Sequence, residues 1–174
     1  MIRIIEMGHV STAERDTFAF LCDPRSVVIW RQAFDRIEPL ADPKEPGSRR
    51  FALHWSTGVL RHRAEILTRY DRLNRQMTMY CNRDPLRFSA SMQVFPERDG
   101  SRIVMETKVY VTGPLRLLRG RIEREVVRRN RLVMEALASA LAELPSRAEA
   151  RSEIGDDRIA AAARSTSAGS RGRK

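Results

Sequence analysis

Between Leu115 and Leu144 the apolar residues recur at steps of mostly three and four: Leu115, Leu118, Ile122, Val126, Val133, Met134, Leu137, Leu141 and Leu144. That spacing makes one stripe on a helix. Gly113-Pro114 punctuates its start and Pro145 its end, and thirty residues would make a rod of roughly 45 Å. A rod apolar on one face only needs a broad apolar partner, and the pattern upstream supplies one.

That upstream pattern alternates. Ile2, Ile4, Ile5, Met7 and Val10 mark a first strand over 2–10. Ser11-Thr12-Ala13-Glu14 has the form of a capping box with Ser11 at the cap. It predicts a short helix from about Thr12, with Phe18, Leu21 and Cys22 on one face. Asp23-Pro24 breaks that helix, a second helical turn follows over Ser26 to Trp30, and Phe34 to Leu40 reads as a weak strand. Residues 41–47, with two prolines and a glycine, form a loop. Five alternating runs follow, beginning at Phe51, Leu60, Met77, Phe88 and Ile103. They are separated by Ser56-Thr57-Gly58, Asp71 to Asn74, Asn82 to Pro85 and Asp99-Gly100. Five consecutive strands with short turns predict an antiparallel meander, apolar on one face and rich in Arg and Ser on the other.

Alternation assigns Phe51, Leu53, Trp55, Leu60, His62, Ala64, Ile66, Met77, Met79, Cys81, Phe88, Ala90, Met92, Val94, Met105, Thr107 and Val109 to the inner face. The fold class is therefore α+β, a curved antiparallel sheet wrapped around a long C-terminal helix. Past Pro145 the pattern stops: residues 146–174 are rich in Ala, Arg, Ser and Gly, without an aromatic, and read as a disordered basic tail. One domain, 1–145, suits a chain of 174 residues.

Composition narrows the function. With 42% apolar residues and no run near the ~20 a spanning helix needs, the chain does not read as a membrane protein. The N-terminus lacks a signal-peptide core, so a cytoplasmic location is expected. Cys22 and Cys81, far apart and outside any CxxC, are expected as reduced, buried fillers. The net charge of +10 comes mostly from Arg. The long helix alone carries Arg116, Arg119, Arg121, Arg124, Arg128, Arg129 and Arg131 against four glutamates, a net +3. Glu125 and Arg129 have salt-bridge spacing, so a solvated face is the simpler reading. Docking to an anionic membrane surface is the sharper one. Outward aromatics for base stacking are scarce, which disfavours nucleic acid.

The order of strand, two short helices, long meander and long helix resembles the SRPBCC or START-like superfamily, the helix-grip proteins that include polyketide cyclase/dehydrase-like members. The residues carrying the resemblance are Val10 to Glu14 leading to Phe18, Asp23 with Trp30, Pro46-Gly47, Asp99-Gly100-Ser101-Arg102, and Gly113-Pro114 with the helix after it. It covers about residues 2–144 and brings no fixed catalytic signature. The glycine-rich loop of the birch-pollen-allergen branch is absent. The resemblance implies a cavity for a hydrophobic ligand, lipid or polyketide-like, and in some relatives cyclisation, dehydration or lipid transfer.

Candidate ligand-binding residues are Leu53, Trp55, Ala64, Met77, Met79, Phe88, Met92, Met105 and Thr107 on the sheet, with Asn130 interrupting the helix stripe. Methionine suits a pocket that accepts varied shapes. Asn130 would contact a ligand head group or sit in water at the cavity mouth. His62, the one inward ionisable group, is the candidate acid or base; an inward histidine bonded to a neighbour is the plainer role. No Ser-His-Asp, Walker or zinc spacing is present, and no cofactor or metal is expected. The leading reading is a non-catalytic binder of a small hydrophobic molecule. A cyclase/dehydratase-type enzyme using His62 is the alternative from another class.

Overall fold

The computed structural model describes residues 1–41, 47–57, 60–83 and 86–144. The chain forms two units, Met1–Ala142 and Glu143–Lys174, and the architecture below is that of the first. The expected disordered tail from 146 onward lies outside the described residues, as do Pro145 and Pro46.

The elements run β1 (Ile2–Val10), α1 (Glu14–Cys22), a 3₁₀ helix (Pro24–Gln32), β2 (Arg36–Pro39), β3 (Ser48–Thr57), β4 (Leu60–Asp71), β5 (Gln76–Arg83), β6 (Leu86–Glu97), β7 (Gly100–Val111), a 3₁₀ segment (Gly113–Leu118) and α2 (Arg119–Ala142). All seven strands form one antiparallel sheet in the order β1-β7-β6-β5-β4-β3-β2. The meander was legible because each strand alternates. Two further pairings complete it, β1 returning to β7 and β2 adding to β3.

Register lines the inner face in rows. Tyr70, Met77, Met92 and Met105 stand opposite one another in one row. Thr68, Met79, Ala90, Thr107 and Ile4 form the next, and Phe88 stands between Cys81 and Val109 in the one after. On β1 only Ile2, Ile4 and Val10 of the apolar residues are buried; Ile5 and Met7 are exposed on the other face, as strict alternation requires.

Three local expectations are corrected. The capping box does not form: Ala13 is the helix N-cap and makes no side-chain cap bond. Glu14, which was to reach back to Ser11, is instead in an ion pair with Arg75, and the neighbouring Thr12 hydroxyl donates to the Leu141 carbonyl at 3.4 Å. Asp99-Gly100 is not the two-residue turn; Arg98-Asp99 is, because Glu97 pairs with Gly100. Gly100 has φ +145°, and a Cβ there would lie 2.0 Å from the Val10 carbonyl oxygen. Close approach of backbone to backbone therefore accounts for the glycine. Finally, the long helix starts late. Leu115 and Leu118 belong to the 3₁₀ segment, after Gly113 turns the chain at φ +59°. The α-helix has 24 residues, roughly 36 Å, and Leu144 lies beyond it.

α2 packs in two ways along its length. Its second half buries Val133, Leu137 and Leu141 in the main core with Leu21, Ile29, Met92 and Ile103. Its first half sets Ile122, Val126 and Val127 against Ile2, Ile4 and Val109 at the β1–β7 edge. Asn130 falls at the boundary between these clusters.

Candidate ligand-binding site

A cavity of about 1360 Å³ lies between the first half of α2 and the inner face of the sheet. It exists because the sheet is lined there by small side chains. Ala64 stands opposite Leu53, and Ala90 stands between Met79 and Thr107. Phe88 and Met105 line the same floor. In the next row Tyr70, Met77 and Met92 fill their space, and only Met105 at its β7 end borders the cavity. The structure accordingly does not bring Met77 and Met92, two of the candidate ligand contacts, to this cavity. Met92 is 1% exposed in the packed core. Met77 borders a separate void of about 20 Å³ with Asp23, Ser26 and Tyr70, room for about one water. Burial raises the Tyr70 phenol pKa there.

The other candidates do meet at the cavity: Leu53, Trp55, His62, Ala64, Met79, Phe88, Met105, Thr107 and Asn130 all border it. The Leu60 side chain lies outside the described residues. Asn130 is not in water at the mouth. It is buried, and its amide nitrogen donates to the Thr107 hydroxyl oxygen at 3.1 Å, while that hydroxyl lies 3.3 Å from the amide oxygen. This pair is a polar spot on an otherwise apolar wall.

His62 lies flat on Trp55, ring centroids 5.3 Å apart and planes 22° apart. Trp55 in turn meets the edge of Phe34 at 6.2 Å, and the Arg129 guanidinium stands 5.4 Å over the Phe34 ring. A stack therefore runs from β4 through β3 and the 3₁₀ helix region to α2. Arg129 fastens the last step. It donates to Glu125 at 2.7 Å, to the Ala33 carbonyl and, at 3.5 Å, to the Ser56 carbonyl. Arg128 donates to the same carboxylate at 2.7 Å. These contacts, the Arg128 hydrogen bond first, hold the Glu125 pKa below its ordinary value despite partial burial.

Sequence reasoning missed Trp30, Phe34 and Arg129. The four-residue spacing of Trp30 and Phe34 was a usable signal. Nothing in the spacing of the seven helix arginines marks Arg129 apart from its offset of four from Glu125. Neither Cys22 nor Cys81 is in a disulfide, and Cys81 is buried and borders the cavity. Cys22 is half-buried, and that burial raises its thiol pKa. Among the described residues no group of three His, Cys, Asp or Glu side chains could hold a metal, and no helix is long and apolar enough to cross a membrane.

No family model matches the sequence, and no curated protein matches it. Solved structures do match. The protein TTHA0849 from Thermus thermophilus is similar at 14% identity and a TM-score of 0.70, covering 81% of this chain and 97% of that one. The Zhui aromatase/cyclase from Streptomyces sp. R1128 is similar at 12% identity and 0.70, covering 81% and 93%. A START superfamily protein from Mycobacterium smegmatis follows at 12% and 0.63, covering 82% and 99%. At such identities the likeness concerns the fold alone. That fold is the START-like helix grip, a curved seven-stranded antiparallel sheet with a long C-terminal helix.

Proposed function

We propose that the protein binds a small, largely apolar molecule of lipid or polyketide size in the cavity beneath α2, without a cofactor. The observation that carries this reading is the cavity itself. At about 1360 Å³ it exceeds the usual range of small-molecule pockets, its floor is apolar, and it holds one buried polar pair, Asn130 with Thr107. A space of this size over an apolar floor has no packing rationale in a domain whose core is otherwise packed. Native mass spectrometry of freshly purified protein, with titration of the neutral dye N-phenyl-1-naphthylamine, tests it. Dye uptake or a co-purified apolar molecule is expected; absence of both would sink the reading.

The placement of His62 favours a second reading, a cyclase or dehydratase-type activity; the Zhui protein of similar fold is named an aromatase/cyclase. Its ring lies against Trp55 on the cavity wall, where it could pass a proton to or from a bound ligand. Replacing His62 with Ala should then spare binding and abolish turnover. Turnover that survives the replacement would remove His62 from the chemistry.

Docking of the cavity mouth to an anionic membrane surface is a further part of the proposal. Leu117 is 90% exposed in the 3₁₀ segment, between Arg116 and Arg119, and Leu115 and Leu118 beside it border the cavity. Exposed leucines among arginines suit an interface that supplies apolar ligands. Co-sedimentation with phosphatidylserine vesicles should fall on Leu117→Asp; unchanged sedimentation would rule it out.

A further inference from the structure

Charge around the cavity is one-sided. Arg61 and Arg63 from the start of β4 and Arg121, Arg124, Arg128 and Arg129 from α2 border it, and among the described residues Glu125 is its one bordering carboxylate. Glu125 is taken by Arg128 and Arg129, and Arg63 lies 3.3 Å from Glu65. Arg61, Arg121 and Arg124 pair with no carboxylate among the described residues. They come from two sides of the opening, Arg121 and Arg124 three apart on one face of the helix and Arg61 beside His62 on the sheet. All three border the cavity and are exposed, which sets them at its open side and not in the apolar interior; Arg61 reaches it from the start of β4, although alternation turns it to the face opposite that of His62.

Three unpaired like charges beside low-dielectric walls concentrate a positive potential at the opening. A neutral apolar ligand would leave that potential unanswered. A ligand with an anionic end would relieve it, and guanidinium forks match carboxylate and phosphate oxygens two bonds at a time. The apolar floor and the cationic mouth together describe one molecule. We propose that the ligand is an amphiphilic anion, its apolar body inside the cavity and its carboxylate- or phosphate-type head held at the mouth by Arg61, Arg121 and Arg124. This rests on the reading that the cavity takes up an apolar molecule.

The test uses the full chain and four probes of equal length, dodecanoate, dodecyl phosphate, 1-dodecanol and dodecyltrimethylammonium, each displacing N-phenyl-1-naphthylamine. Each exposed charge pair contributes roughly 1.5- to 5-fold, so at least one anionic probe should bind about tenfold tighter than dodecanol, with the cation weakest. Raising salt from about 50 to about 500 mM should weaken only the anions. In R61Q/R121Q/R124Q the anion preference should shrink to within about twofold, with dodecanol unchanged. Equal, salt-insensitive binding of anions and dodecanol by the parent would overturn the head-group assignment and leave the cavity reading standing. So would an anion preference that survives intact in a triple variant that melts like the parent. Failure of the dye and of every probe to bind would remove the cavity reading, and the head-group assignment with it.

Discussion

Asn130 on α2 and Thr107 on β7 satisfy one another inside the fold, amide nitrogen to hydroxyl oxygen at 3.1 Å, and both are buried. An asparagine on the apolar stripe of a helix is tolerated there because its partner comes from the facing strand. Asn130→Ala leaves the Thr107 hydroxyl without that partner, at a cost of roughly 1–3 kcal/mol. Asn130→Leu combined with Thr107→Val removes both polar groups and should recover most of the loss. Urea unfolding of the parent, both single variants and the double variant measures the coupling; additive losses would mean the contact carries no stability.

Glu125 gives the fold a specific acid sensitivity. Its pKa is held below the ordinary 4.5, by Arg128 first and Arg129 as well. A depressed carboxylate stabilises the fold above its unfolded value, and that contribution is lost as pH falls through the folded one. Stability from Glu125 should thus be complete at neutral pH and drain away from about pH 4.5 downward. Glu125→Gln should be less stable than the parent at pH 7, and the gap should narrow toward pH 3. A gap constant across that window would show that the arginine contacts do not depend on the charge.

The sheet was legible because period two repeats in every strand, and a one-residue slip would turn Leu53, Ala64, Met79 and Ala90 to solvent. The fate of α2 was only half legible. Apolar spacing marks which helix face turns inward, but not how near the sheet comes. Ile122 and Leu137 look alike in sequence, yet one borders a cavity and the other is 0% exposed in the core. Met77 and Met79 likewise share a strand face. They part because Met77 stands opposite Met92, and Met79 opposite Ala90. Arg129 was illegible because its acceptors, Ala33 and Ser56, are distant in the chain and are backbone carbonyls, which no residue type advertises.

That difference between Ile122 and Leu137 can be measured. Leu137→Asp buries an unpaired carboxylate, which costs several kcal/mol against a total of only ~5–15 kcal/mol, so this variant should be unfolded by far-UV circular dichroism. Ile122 is half-buried beside the cavity mouth, where water and Arg121 are near. Ile122→Asp should therefore fold, with a melting temperature lowered by less than that of any charge placed at Leu137. Equal loss of structure in both would mean that α2 is gripped uniformly along its length.

A cavity and a filled core respond in opposite ways to added volume. Ala64 and Ala90 are buried and face the space beneath α2, whereas Val94, 2% exposed opposite Ile103, lies in the packed half. Val94→Phe must displace packed neighbours and should cost roughly 1–3 kcal/mol. Ala64→Phe and Ala90→Phe place a ring in unfilled space, so their urea midpoints should match or exceed the parent's. The same ring occupies the ligand's room, so uptake of N-phenyl-1-naphthylamine should fall in both. Retained stability with reduced uptake is the combination that the open grip requires. If either alanine variant is destabilised as much as Val94→Phe, and the parent takes up no dye, the space beneath α2 closes in solution and ligand binding there is excluded.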